Sequence, residues 1–329
     1  MPRVAVLAVM GCYASCAAGY VDVFQAANAH LGHPWGAGRE PFEWRFVSAL
    51  GGPIIASNGM RIETEPFDDE RFDLVVIPAL HYPGFHAFSR QLDDLGETYA
   101  WIRAQWNAGA WVGTHCSGGF ILAQSGLLDG RVATTAWWLD RQFRSRYPKV
   151  DLQFRSALTE VDRLLCASAV ATHLLQAVRF VDLFMGRAIA AQAAKSMMID
   201  TSETGHIPYL PILTEIRRND FVVERAQKWL RKHVAQDVSI ADLAQAMAVS
   251  ERTLARKFAA AIGQTPLGYL QMLRLSAART LLEAGDLSVE AIVNQVGYAD
   301  TSSFSRLFRQ EIGISPGAYR QRFRHDIQL

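Results

Sequence analysis

Residues 288–320 read SVEAIVNQVGYADTSSFSRLFRQEIGISPGAYR. Val289, Ile292, Val293 and Val296 recur at helical spacing and predict a short first helix. Gly297 supplies a turn, and Asp300 is a good N-cap for a second helix whose inner face is Phe304, Leu307 and Phe308. Thr301, Ser302, Ser303, Arg306 and Arg309 are left outside. A small apolar helix, a tight turn and an exposed basic second helix fit reading of the DNA major groove. Arg hydrogen-bonds guanine edges, while Ser and Thr serve bases or phosphates. One such helix alone says little, because any solvated helix face has this pattern.

The pattern occurs twice. Residues 240–259 read IADLAQAMAVSERTLARKFA. Ile240, Leu243, Ala244 and Met247 form a first inner face, Ala248-Val249 makes the turn, and Ser250 caps the next helix. Leu254 and Phe258 then point inward, leaving Arg252, Thr253, Arg256 and Lys257 outside. Residues 266–284 join the two units as one helix striped by Leu270, Leu273, Ala277 and Leu281. At 1.5 Å per residue it spans roughly 28 Å, close to the ≈ 34 Å between successive major grooves on one face.

These residues resemble the AraC-type transcription regulators over about 221–324, through Ser250–Phe258, Gly297-Tyr298, Phe304, Arg306, Phe308-Arg309 and Pro316. The resemblance implies that both recognition helices enter adjacent major grooves of double-stranded promoter DNA. It also implies activation rather than repression, with RNA polymerase as a partner.

Upstream the period changes. Val4–Val9, Trp44–Ser48, Phe72–Pro78, Ala110–Thr114, Val132–Thr135 and Leu164–Ala167 read as strands. Helical spacing separates them at Tyr20–Leu31, at Leu92–Trp106 and from Ser117 and Trp137. Val170–Ile199 is a long helical region with a break expected at Gly186. Alternating strands and helices predict an α/β fold, a flavodoxin-like parallel sheet flanked by helices, followed by an all-α part with two helix-turn-helix units. His206–Leu213 (HIPYLPIL) holds two prolines and reads as a linker. The expected domains are 1–205, a linker at 206–220, and 221–329.

Composition agrees with two partners of different charge. The 329 residues carry 33 Lys and Arg against 32 Asp and Glu, with half of all residues apolar, which excludes wholesale disorder. Residues 221–329 hold 14 basic and 10 acidic side chains, and residues 1–220 hold 19 and 22, so near-neutrality is a cancellation. Four cysteines in such a chain suit reduced thiols in a cytoplasmic protein rather than a disulfide scaffold. Val4–Val21 is uncharged, and Val9-Met10-Gly11-Cys12 loosely suggests a lipoprotein site. Its strongly apolar part ends at Met10, too short to span, so no membrane partner is expected.

Trp111–Phe120 (WVGTHCSGGF) has the logic of a nucleophile elbow, with Cys116 at a sharp turn between strand and helix. A helix start there would favour its thiolate; a buried inert cysteine is the plainer alternative. His115 is expected to project to the opposite side of the strand. Residues 118–138 (GGFILAQSGLLDGRVATTAWW) resemble the class I glutamine-amidotransferase-like fold of the PfpI type, as fused to AraC-type domains in GlxA-like regulators. Measured against that family, Ala136 stands where a His follows the Thr-Thr pair, and Cys16 where an acidic residue is common. The resemblance thus implies a vestigial nucleophile position, no catalysis and no cofactor.

Ligands of such sheets bind at the carboxyl ends of strands. That points to Cys116, Ser117, Cys16, His81, Tyr82 and Trp137 around one small-molecule effector, although His81, Tyr82 and Trp137 could equally be packing residues. Aromatic faces attract cations, and the family resemblance also suggests an amine, betaine or amino-acid-derived effector. Two readings stay open: a Cys116-dependent amidase- or deglycase-like hydrolase, and a thiol redox sensor using Cys16 and Cys116. Cys12 and Cys16 lack the neighbours of a zinc site, so no metal is expected, and Cys166 reads as structural. A homodimer is expected, through helices around Trp101–Trp106 or Val170–Ile199.

Overall fold

A computed structural model describes residues 1–32, 38–153, 156–201, 220–236, 238–285 and 287–323. The chain divides into two compact units, Met1–Glu203 and Thr204–Leu329. All but one residue of the expected linker at 206–220 lies outside the described residues, as does Arg324.

The first unit is built on strands with continuous burial. Val4–Leu7 of β1 (Arg3–Leu7), all of β5 (Leu74–Ile77) and all of β10 (Leu164–Ala167) are buried. Such runs need cover on both faces, as a parallel sheet between helix layers provides. β2 (Glu43–Ser48), β4 (Arg61–Pro66) and β6 (Trp111–His115) run parallel to them. β3 (Leu50–Ile55) and β9 (Leu158–Val161) close the two edges antiparallel, giving the order β3-β4-β2-β1-β5-β6-β10-β9. The chain moves outward from β1 to β2 and then returns to β5, so the topological switch lies between β1 and β5.

Side-chain alternation divides the core into two layers. Val4, Val6, Leu74 and Val76 face α1 (Ala14–Ala29), α6 (Thr172–Met185) and α7 (Arg187–Ser196). Ala5, Leu7, Val75 and Ile77 face α2 (Phe85–Asp93), α3 (Gly96–Asn107), α4 (Gly119–Gln124) and α5 (Asp140–Arg146). Gly186, at φ 89°, breaks α6 from α7 as expected.

Several local expectations change. The stripe at Leu92–Trp106 is two helices, separated at Asp94-Leu95, because Asp94 and Gly96 are weak helix formers. Val132–Thr135 contributes only β7 (Val132–Ala133), which pairs with β8 (Asp151–Leu152) outside the main sheet. α1 begins at Ala14, six residues before the readable stripe, since Ala14, Cys16, Ala17 and Gly19 are small and buried and show no amphipathic period. Trp137 starts a 3-10 turn, Trp137–Leu139, ahead of α5.

The second unit is helical throughout its described residues: α8 (Phe221–Lys232), α9 (Ile240–Met247), α10 (Glu251–Ile262), α11 (Pro266–Ala284), α12 (Val289–Gln295), α13 (Thr301–Ile312) and α14 (Pro316–Phe323). It has two cores that share α11. Tyr269, Leu270 and Leu273 pack with Leu243, Leu254 and Phe258, while Met272, Leu275 and Leu282 pack with Ile292, Phe304 and Phe308. Both helix-turn-helix turns close alike, with Val249 N–H donating to Ala244 O and Tyr298 N–H to Val293 O. The second turn has Gly297 at φ 84°, but the first forces Ala248 to φ 57°. Ala248→Gly should therefore stabilise the second unit by about 0.5–1 kcal/mol, seen as a higher unfolding midpoint; an unchanged or lower midpoint would contradict the strain.

Candidate nucleic-acid interface and elbow site

Both recognition helices are capped as their sequences demand. Ser250 Oγ accepts from Thr253 N–H at 3.2 Å, and Asp300 accepts from Ser302 N–H at 3.1 Å and Ser303 N–H at 2.8 Å. Leu254, Phe258, Phe304 and Phe308 are wholly buried, which fixes the faces of α10 and α13. Arg252, Arg256, Ser302, Arg306 and Arg309 are exposed, and Thr253, Thr301 and Ser303 are half-buried. Arg306 Nη2 donates to Ser303 Oγ at 3.2 Å, which braces it along its own helix. Lys257 differs from its neighbours: its Nζ is 2.7 Å from Asp220 Oδ2. Asp220 Oδ1 meanwhile caps α8 through Val222 and Val223. The Lys257 ammonium, followed by the amides it caps, holds the Asp220 carboxyl below its usual range.

The elbow keeps its shape. Cys116 has φ 52°, a left-handed conformation that costs a non-glycine residue about 1–2 kcal/mol. Gly118 allows the close approach, since a Cβ there would sit 2.6 Å from Pro78 O and 2.8 Å from Thr114 Oγ1. The expected thiolate is not supported. Cys116 is 2% exposed, and burial pushes its thiol up to about 11, outweighing the hydrogen bonds from Ser117 and the backbone at Val170. The helix that follows has only six residues, too few for a strong dipole. Cys16 is fully buried, and burial raises it to about 12, with Cys116 among the nearby charges that add to the rise. The two cysteines belong to one apolar cluster.

The residues flanking Cys116 act as staples. Ser117 Oγ donates to Leu80 O at 2.6 Å and accepts from Leu80 N–H at 2.9 Å, so its hydroxyl is committed to the backbone. Thr135 Oγ1 donates to Cys116 O at 2.7 Å, with fully buried Ala136 next to it. Tyr82 packs against Phe88 at 5.2 Å, and His81 is exposed with its ring edge-on to Tyr13. Trp137 and Trp138 are 41% and 46% exposed and meet at right angles, 5.6 Å apart. Of the helices proposed for dimer contact, α3 buries Trp101 flat against Phe67, with ring centroids 4.3 Å apart. Arg131 and Arg163 both lie over the Trp106 ring. Both aromatic residues thus have intramolecular partners.

His115 projects away from Cys116, as strand alternation predicts, and enters a network that the sequence does not announce. Ala79 N–H donates to its Nε2 at 3.1 Å, so the ring proton sits on Nδ1, 2.9 Å from Tyr20 Oη. The Tyr20 hydroxyl donates in turn to Gln176 Oε1, and Gln176 Nε2 donates to Thr114 O and Leu165 O. Burial, then the neighbouring His173, lowers the His115 pKa well below the ordinary 6.5. This network also decides a metal question. One nitrogen or sulfur from each of Cys16, His115 and His173 lies within 4.8 Å of the others, a spacing that could hold an ion. His115, however, has its Nε2 lone pair taken by Ala79 and its Nδ1 protonated, so it has no electron pair for a metal. The residues do not fit one.

A cavity of about 430 Å³ lies among Arg3, Phe42, Trp44, Arg45 and Phe72, at the amino ends of β1 and β2, which is the edge opposite the elbow. Arg3 and Arg45 there both pair with Glu70.

Comparisons with known proteins find helix-turn-helix regulators. The helix-turn-helix domain family matches residues 243–322. The regulator CdhR of Pseudomonas aeruginosa is 29% identical over 287 residues, covering 85% of this chain and 82% of its own. GbdR of the same species is 25% identical over 290 residues, covering 87% of this chain and 76% of its own. Over most of its length this chain is thus similar to helix-turn-helix transcription regulators. The chain's fold also matches a Vibrio parahaemolyticus protein whose crystal structure is described as that of a transcriptional regulator. The match has TM-score 0.52 and 18% identity, over 60% of this chain and 98% of the other. Among the described residues no helix is long and apolar enough to cross a membrane.

Proposed function

We propose that the chain is an AraC-type transcription regulator with a PfpI-like first unit, which acts in the cytoplasm as a dimer, binds promoter DNA sequence-specifically through both α10 and α13, and activates transcription through RNA polymerase in response to a small effector. The domains would be 1–205 for sensing and dimerisation and 221–329 for DNA. The observation that carries the DNA reading is the pair of capped helices, each anchored by two buried residues and each presenting two or more exposed arginines. Selection from a random duplex pool tests it. Two half-motifs recovered at a fixed distance support the reading, and a single short motif counts against it.

Asp220 and Lys257 give a sharper check. Asparagine caps a helix as well as aspartate, so Asp220→Asn should leave α8 intact and lower stability by about 1 kcal/mol, as expected for a half-buried ion pair that solvent still screens. It should also release Lys257 toward a phosphate, steepening the dependence of log affinity on log salt by about 0.9. An unchanged slope would place Lys257 away from the DNA.

For the elbow we infer an effector site without catalysis. The protonated Cys116, with Ala136 beside Thr135, supports this reading. With its pKa raised from 9.0 to about 11, Cys116 should be alkylated at pH 7 roughly a hundredfold more slowly in the folded protein than in denaturant. Fast labelling, or turnover lost in Cys116→Ala, would favour the hydrolase. The same low thiolate content disfavours the redox sensor, because oxidation follows thiolate character. Exposed Trp137 and half-buried Tyr82 support an amine, betaine or amino-acid-derived effector. Calorimetry in which only neutral or anionic compounds bound would overturn that choice.

A further inference from the structure

The two helix-turn-helix units read DNA together only if something fixes the angle between α10 and α13. The shared helix α11 passes from one core to the other at Met272–Leu275. Arg274 sits at that crossing, half-buried. Its Nε donates to Val234 O at 3.0 Å and its Nη2 to Gln236 O at 2.7 Å, both in the segment between α8 and α9 that leads into the first helix-turn-helix. The same guanidinium lies over the Tyr298 ring, 5.4 Å from its centroid, in the turn of the second helix-turn-helix. Tyr298 is in turn packed on Phe304 of α13, with ring centroids 5.2 Å apart. Gly297 completes the joint: a Cβ there would lie 3.0 Å from Arg274 Nη2 and 3.1 Å from the Ala235 carbonyl group. The backbone beside the first helix-turn-helix therefore abuts the turn of the second helix-turn-helix directly.

We propose that Arg274 is a positioning residue that clasps the two helix-turn-helix units and sets the spacing at which α10 and α13 meet DNA. A planar guanidinium suits this task, because it donates in fixed directions to two carbonyls while its face stacks on an aromatic ring. A lysine or an apolar residue can do only part of it. This inference rests on the reading that both helices contact DNA.

The test uses the full chain and a random-sequence duplex pool as probe. Wild type should recover two half-motifs at one fixed separation. Arg274→Ala should recover the same two half-motifs with relaxed separation, and should bind a wild-type-selected duplex about tenfold more weakly, as expected when tethering loses definition. Its salt slope should stay unchanged, since a lost phosphate contact would reduce it by about 0.9. Arg274→Met keeps the stem and helix propensity and should behave alike, so failure of the alanine variant to fold does not end the test. Tyr298→Phe should match wild type, because the Tyr298 hydroxyl is buried without a partner. Fixed spacing retained in Arg274→Met would overturn the proposal, as would equal loss of binding to each isolated half-motif. A wild type that selects one motif only would instead overturn the two-helix reading beneath it.

Discussion

Replacing Arg256 and Arg306 together by alanine is expected to weaken binding to selected DNA by about 2–6 kcal/mol, as each arginine that reads a base contributes about 1–3 kcal/mol and distant sites add. The two residues occupy corresponding exposed positions, two before Phe258 and Phe308, the buried residues that anchor α10 and α13. Neither supports a core, so the melting temperature should hardly move. The single variants distinguish the two ways an arginine can act. Loss confined to one half-motif means base reading, whereas uniform loss across sequences with a shallower salt slope means phosphate contact. Double-variant affinity within threefold of wild type would remove both helices from the interface.

The second unit was the more legible in sequence, and its apolar period explains why. Leu254 with Phe258, and Phe304 with Phe308, stand four residues apart, and caps at Ser250 and Asp300 mark where each helix starts. Such signals are local, and by the same kind of reading the boundaries of α11 could be placed to the residue. What stayed hidden there were contacts between distant residues. Lys257 has the composition of a DNA-facing side chain, and only the fold brings Asp220 to it. Arg274 looks like any charge on a helix surface until Val234 and Tyr298 arrive from either side.

The first unit was legible where burial is two-sided and obscure at its edges. β1, β5 and β10 announce themselves as unbroken apolar runs. The β3–β4 hairpin passed unread because its residues are mostly exposed and carry Gly, Pro and Glu. Of the elbow, the turn at Cys116 could be read but its electrostatics could not. A helix start argued for a thiolate, whereas burial to 2% exposure decides for the thiol. Ser117 likewise has the character of a ligand contact, and only the approach of Leu80 shows that its hydroxyl is already used.

Replacing His115 by alanine is expected to destabilise the first unit by about 3 kcal/mol or more, through a cavity and an unsatisfied buried donor. The donor is Ala79 N–H, whose recorded acceptor is His115 Nε2, and Tyr20 would lose the Nδ1 proton that its oxygen accepts. The same burial imposes a pH dependence. His115, and to a smaller extent His173, have pKa values lowered below 6.5 by burial. A pH unit or more above 6.5, neither folded nor unfolded chain holds these protons, and stability is full. Below it the unfolded chain takes them up while the folded chain refuses, so stability falls by about 1.4 kcal/mol per pH unit for each proton excluded. His115→Gln removes one of the two, and its amide oxygen can still accept from Ala79. The urea midpoint of wild type should drop between pH 7.5 and 5.5, and that drop should shrink by about one proton's worth in His115→Gln. Seven of the eight tryptophans lie in the first unit, so their fluorescence follows its unfolding. Identical pH slopes in the two proteins would mean that His115 is protonated in the folded state, which the Ala79 hydrogen bond forbids.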